Sequence, residues 1–314
     1  MPDVTITLAH SADADDVFMW WPITGKIDPA APHRVLESPP LRVPGWRFVA
    51  LPEDIQALNR RAIERADLDV TAISFSTYAL VAERYALAFC GSSFGLGYGP
   101  RLVVRHDHPA RHVDDLITPG AGGRVRVAVP GVNTSAFLLL SAMLHRGNFE
   151  PIEYRFDRII DAVAGGACDA GVLIHEAQIT YEHAGLRLVA DLGEWWHRST
   201  GLPVPLGANA IRRGLEVEHG PGTLPRIAGI LRRSIDYAMS RRDESLAYAR
   251  TFSPLKSDSE LDRYVSMYVN ALTLDARGDG LKALSELFSR AFAGGGPLQE
   301  GKHPPLDMVG PSDS

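Results

Sequence analysis

Apolar and polar positions along this chain follow two rhythms, one of period two and one of three to four, and the switches between them divide it into short strand and helix units. Val4 to Leu8 alternates and reads as a first strand, and the polar turn Ser11 to Asp16 opens an apolar helix through Val17, Phe18, Trp20 and Trp21. The stretch from Pro29 to Pro44 breaks both rhythms and reads as irregular. Pro52 then starts a helix over Ile55 to Ala66, and Val70 to Ser74 reads as a buried strand. Ala86 to Phe89 and Arg101 to Arg105 read as strands on either side of a glycine-rich bend, and the polar segment His106 to Arg124 marks a lobe boundary.

A second series begins at the strand Val125 to Val129 and continues through helices Ser135 to Leu144 and Arg158 to Ala164 to the strand Ala170 to Ile174. Pro203 to Ile211 reads as a return strand. Beyond it the spacing is helical: Leu224, Ile227, Ile230, Leu231 and Ile235 share one face, and Tyr264, Met267, Tyr268 and Ala271 share another, with Ser257 and Glu260 at capping-box spacing. The pattern predicts an α/β clamshell joined by two crossing strands, with its ligand between the lobes. Residues 1–105 and 211–293 form the large lobe, 106–210 the small lobe, and 294–314, rich in Gly, Pro and polar residues, a mobile tail.

Composition narrows the function. A chain of 314 residues, 45% hydrophobic and 22% charged, can bury the core that two such lobes need. The formal charge of −6 is the wrong sign for a phosphate backbone, so no nucleic-acid partner is expected despite basic pairs at Arg212-Arg213, Arg232-Arg233 and Arg241-Arg242. No apolar run reaches the roughly 20 residues that cross a bilayer, and the first residues lack the pattern of an export signal; the expectation is a cytoplasmic protein without a membrane partner. Cys90 and Cys168 stand alone, outside any CxxC spacing, and read as two reduced thiols.

Three segments carry candidate chemistry. Val127 to Ser135 reads as strand, tight turn and helix start, where unpaired N–H groups and the helix dipole favour an anion and where Thr134 and Ser135 bring hydroxyls; N-capping by Asn133 or Thr134 accounts for the same residues. Val172-Leu173-Ile174-His175-Glu176 ends a buried strand in a histidine, and strand ends in α/β lobes face the cleft. A neutral imidazole there suits proton abstraction near pH 7, and a neighbouring acid can fix its tautomer or raise its pKa, although a core histidine fits the same position. Ser11 to Asp16 is rich in carboxylates ahead of a helix; capping is its plainest role, and no metal is expected because no phosphate motif accompanies it. Gly95, Gly97 and Gly99 do not have dinucleotide spacing, His106, His108 and His112 lie in a polar loop, and Trp195-Trp196 fits packing beneath a loop.

Together these blocks resemble the 1,4-dihydroxy-6-naphthoate synthase family of the futalosine route to menaquinone, from about Thr5 to Phe292. The resemblance rests on Ile73-Ser74-Phe75, Gly97-Tyr98-Gly99-Pro100, Val129-Pro130-Gly131 with Thr134, Leu173-Ile174-His175-Glu176 with Thr180-Tyr181, and Asp191 to Trp196 followed by Thr200 to Gly207. It implies an architecture like that of type II periplasmic binding proteins and a carbon-carbon lyase acting on cyclic dehypoxanthinyl futalosine, a small carboxylate, without a redox cofactor. It also implies His175 as base, with Ser11, Asp15, Ser74, Thr134 and Ser135 at the substrate. Asp15 stands where the family often has Asn, and Leu96 and Gln178 stand where it often has Arg. A chorismate-dehydratase-like enzyme and a non-catalytic carboxylate-binding protein are the alternatives.

Overall fold

The computed structural model describes residues 3–117, 124–145, 147–292 and 304–311. In chain order its strands are β1 (Val4–Ser11), β2 (Lys26–Asp28), β3 (Ala31–Glu37), β4 (Trp46–Glu53), β5 (Val70–Ser74), β6 (Tyr85–Ala88) and β7 (Ser93–Gly95). They continue with β8 (Arg101–Arg105), β9 (Val125–Val129), β10 (Phe149–Glu153), β11 (Ala170–Leu173), β12 (Leu186–Asp191), β13 (Val204–Arg212) and β14 (Met308–Val309).

Two sheets define the lobes. The larger runs β14-β6-β13-β5-β1-β4, with β7 added to β13, and the smaller runs β10-β9-β11-β8-β12. β1 is parallel to both β4 and β5, and β9 to both β10 and β11, as expected where strands alternate with covering helices. All five residues of β5 are buried, which explains its unbroken apolar and small-residue run. The helix Ala14–Thr24 covers this sheet and is itself buried along its length; it lies beneath the helix Thr223–Ser240, whose Ser234 hydroxyl donates to the Met19 carbonyl at 2.7 Å. With the sheet on one side and helices on the other, Trp20 and Phe18 are fully buried.

The lobe boundaries differ from the sequence expectation. β8 lies in the small sheet, between and antiparallel to β11 and β12, whereas β13 lies in the large sheet, antiparallel to β5 and β6. The chain therefore crosses before Arg101 and returns before Val204, each several residues earlier than the polar segment and the apolar pattern indicate. Both strands are apolar and flanked by breakers, so either sheet satisfies their patterns. The bend before β8 is set by sterics: a Cβ on Gly95 would lie 1.8 Å from the Tyr98 carbonyl oxygen, and Gly97 has φ of 79°.

Three further elements correct the reading. The Pro-rich segment contains β3, which pairs antiparallel with β2 just before it, and β4 follows with Pro52 inside the strand, tolerated because β4 is the sheet edge. The next helix starts at Ile55, where the Asp54 carboxylate accepts from the N–H groups of Gln56 and Ala57. Ala271 begins a separate short helix rather than continuing Asp258–Tyr268. Part of the tail expected to be mobile is docked: Met308 and Val309 pair with Leu87 and Ala88, and the Tyr78 hydroxyl donates to the Pro305 carbonyl. The rest of that expectation, 294–303 and 312–314, lies outside the described residues. Among the described residues no helix is long and apolar enough to cross a membrane.

Candidate active site

A cavity between the lobes encloses about 740 Å³ of non-atom space, open solvent at its mouth included. Ser11, Asp15, Ser74, Thr134, Ser135 and His175, drawn from four separate stretches of sequence, all line it. The parallel strand order accounts for the convergence: the ends of β1, β5, β9 and β11 open toward one crevice.

Each group arrives with a defined set of bonds. Ser74 ends β5, where Asn59 donates to its Oγ and accepts from its N–H, both at 3.0 Å. Thr134 caps the helix Ser135–Leu144: its Oγ accepts from the Phe137 N–H at 3.2 Å and donates to the Gly131 carbonyl at 2.7 Å. Its proton is thus committed to the turn, and beside it Ser135 and Ala136, whose first-turn N–H groups have no intrahelical acceptor, also line the cavity. Gly131 fixes this turn against the other lobe, since a Cβ there would sit 2.2 Å from the Gln56 side chain. Ser76 and Thr77 add hydroxyl bonds to the Asn133 carbonyl, at 2.6 and 2.8 Å.

His175 follows β11 with φ of 53°, a left-handed conformation unusual for a non-glycine residue. With the Gln178 amide turned to match its neighbours, Gln178 donates to the Gly99 carbonyl at 2.6 Å and accepts from the His175 N–H at 3.2 Å, bracing that strained backbone. The imidazole packs edge-on against Phe156, with centroids 4.7 Å apart. Its Nδ1 lies 2.5 Å from Asp13 Oδ2, whereas its Nε2 is buried without a partner. Burial opposes a charged ring, but the Asp13 carboxylate outweighs it by charge and hydrogen bond, with help from Glu176 and Asp15, and the imidazole is pushed up to about 9. The neutral form expected at pH 7 from the strand-end position is therefore the minority form beside Asp13.

Around this ring lies an unusual concentration of buried acids. Burial raises Asp13 while the His175 cation lowers it, and the cation prevails. Asp15 is held well above the carboxylate range by burial and by the charges of Asp13 and Asp16, and it accepts from the Tyr264 hydroxyl at 2.9 Å. Asp16, which accepts from the Ser11 N–H at 2.7 Å, is raised to about 7 by burial and by Asp13. Glu176 is likewise raised to about 7, and its partner is the Ser253 hydroxyl at 3.2 Å rather than His175. Near pH 7 much of this acid is protonated and able to donate.

No Lys or Arg stands among the described residues that line the cavity. Gln178 lines it, its amide oxygen in the turned orientation also accepting from the Tyr268 hydroxyl at 2.9 Å, whereas Leu96 is 54% exposed and outside the lining. Trp196 is buried, donating to the Pro203 carbonyl, and His106 and His112 lie on an exposed loop. Asp13, one acid of a capping loop, and Tyr264 and Tyr268, whose four-residue spacing resembles an ordinary core face, carry no local signal of a place in the site.

Comparison with known proteins adds an independent line. Residues 6–293 match the family model described as menaquinone biosynthesis. A Thermus thermophilus protein named 1,4-dihydroxy-6-naphthoate synthase is 41% identical over 77% of this chain and 83% of its own length. Its Streptomyces coelicolor namesake is 34% identical over 93% and 94%. Among solved structures, a protein of Archaeoglobus fulgidus superimposes with a TM-score of 0.75 at 39% identity, covering 92% of this chain and 97% of that one. The alkanesulfonate-binding protein of Xanthomonas axonopodis superimposes with a TM-score of 0.66 at 13% identity over 98% and 97%, a likeness of fold alone that places the two lobes in the periplasmic-binding-protein architecture.

Proposed function

The chain belongs to the menaquinone-biosynthesis family, and from that membership we propose that it cleaves cyclic dehypoxanthinyl futalosine to 1,4-dihydroxy-6-naphthoate and dihydroxyacetone with His175 as the general base. One observation carries the role of His175. Its Nε2 is a buried nitrogen with no partner on the cavity wall, while the other nitrogen is already occupied.

The reaction then runs as a proton-coupled fragmentation. Nε2 takes a hydroxyl proton from the substrate, the electron pair left on oxygen forms a carbonyl as the adjacent carbon-carbon bond breaks, and the carbanion released takes up a proton as the bicycle becomes aromatic. The returning proton restores the imidazole, so no oxidant, reductant or water is consumed. Because the imidazolium is the resting form at neutral pH, the competent fraction grows as pH approaches 9.

The substrate carboxylate is held by neutral donors, chiefly the N–H groups at the start of Ser135–Leu144 and the hydroxyls of Ser11 and Ser74. Three acids on the wall would repel an anion if all were ionised; the raised Asp15 and Asp16 and the paired Asp13 remove most of that repulsion.

The test is direct. Purified protein is incubated with cyclic dehypoxanthinyl futalosine and the mixture followed by mass spectrometry for the naphthoate and its three-carbon partner. Saturable binding without product would convert the reading to that of a binding protein, and dehydration of chorismate would redirect it to the neighbouring enzyme class.

A further inference from the structure

We propose that Asp13 is the positioning residue of His175: reaching across from the opposite lobe, it holds Nδ1–H and leaves Nε2 as the nitrogen that meets substrate, so that the base is assembled only when the lobes are together. The proposal rests on the reading of His175 as the base, and it adds a residue, a tautomer and a conformational requirement to it.

The geometry has three parts. Asp13 stands between β1 and the helix Ala14–Thr24, both of the large lobe, while His175 follows β11 of the small lobe, so their 2.5 Å contact spans the cleft. Capping alone does not explain the aspartate. Its Oδ1 accepts from the Asp16 N–H at 3.4 Å, a long bond, and its Oδ2 is turned to the imidazole. Behind it stands a supporting layer: Asp15 shares a hydrogen bond with Asp13, and Tyr264, on the helix Asp258–Tyr268, donates to Asp15. The pair is thus braced from the large lobe, and the left-handed backbone at His175 aims the ring toward it.

This arrangement decides which nitrogen reacts. A carboxylate only accepts, so it requires a proton on Nδ1 and places the lone pair of the neutral ring on Nε2. When Nε2 gains the substrate proton, the positive charge forms beside a fixed anion. Separation of the lobes would withdraw that anion and return the ring toward an ordinary histidine, so an open enzyme carries a weaker, unoriented base. The other ionisable groups facing the imidazole are Asp15 and Asp16 on the Ala14–Thr24 helix, Glu176 beside it, Asp54 at the start of the helix Ile55–Glu64, and His10 and Tyr264 through the carboxylates they adjoin. Among these Asp13 is the one in direct contact with the ring.

The test compares the full-length protein with Asp13→Asn and Asp13→Ser, both good N-caps that keep the helix start. The His175 imidazole is followed by nitrogen NMR with labelled histidine, assigned by its loss in His175→Asn, and turnover is measured on cyclic dehypoxanthinyl futalosine. In the parent protein the ring should titrate near 9 and, once neutral, carry its proton on Nδ1. In both variants the midpoint should fall by at least one pH unit; in Asp13→Asn the amide N–H should favour the opposite tautomer. Turnover should drop about 10²- to 10⁴-fold with KM changed less than about threefold. An unchanged midpoint and tautomer in folded Asp13→Asn overturns the pairing whatever the activity. A parent protein with the expected titration but no turnover instead overturns the reading of His175 as base, and the catalytic part of this proposal with it.

Discussion

Asn59 grips Ser74 from two sides, its amide nitrogen donating to the hydroxyl and its amide oxygen accepting from the backbone N–H, each at 3.0 Å. Asn59 is fully buried, and its nitrogen also reaches the Asn133 carbonyl of the other lobe at 3.4 Å. Asn59→Ala strands both groups of Ser74. The expected cost is about 1–3 kcal/mol in denaturant unfolding, with a rise in KM larger than the fall in kcat. Unaltered KM in the folded variant would detach Ser74 from substrate binding.

His175→Asn is expected to lower turnover about 10²- to 10⁴-fold while leaving substrate affinity nearly intact. Asparagine suits a backbone at φ of 53° better than most residues, so the loss reports the ring rather than strain. Near-normal single-turnover rates in the folded variant would remove His175 from the chemistry.

The pH dependence of stability has a definite sign. His175 goes from an ordinary value near 6.5 to about 9 on folding, so its contribution is complete below 6.5 and disappears as pH rises through 9; Glu176 and Asp16, raised to about 7, lose theirs between about 4 and 7. Stability should therefore fall from pH 6.5 to 9, seen in thermal scans as a decreasing Tm. The slope above pH 7 should flatten in His175→Asn; an identical slope would place the titration elsewhere.

Activity should move the other way over the same interval. kcat/KM reports the free enzyme, and its ascending limb should extend toward about pH 9. A profile flat from pH 6 to 9 contradicts a base with this environment.

Asp15→Asn is expected to be nearly silent at pH 7, within about fivefold in turnover, because an amide supplies the donor that the protonated carboxyl supplies in the parent. A loss of 10² or more would assign the Asp15 proton a part in the reaction.

Much of the site was legible because strand ends and helix starts announce themselves locally. The Val127 to Ser135 unit and the capping box at Ser257 and Glu260 are short-range patterns, and both occur as the sequence indicates. What the sequence conceals is long-range. Asp13 reads as a helix cap, and nothing near it indicates a partner beyond β11; Glu176, adjacent to His175, is the more obvious acid, yet it turns to Ser253. β8 and β13 are hidden in the same way, since an apolar strand fits either sheet and only pairing decides.

The docked segment around Met308 and Val309 has a consequence for how this molecule keeps to itself. β6 would otherwise present a bare row of amides and carbonyls, the kind of border on which a foreign strand can settle. Met308 and Val309 occupy it with a later segment of the same chain, and the Arg213–Asp307 ion pair helps to hold them there. The far border, β4, carries Arg47 and Pro52 instead, a charge and a missing donor. One rim of the sheet is occupied by a returning segment of the chain, and the other is made unattractive by composition.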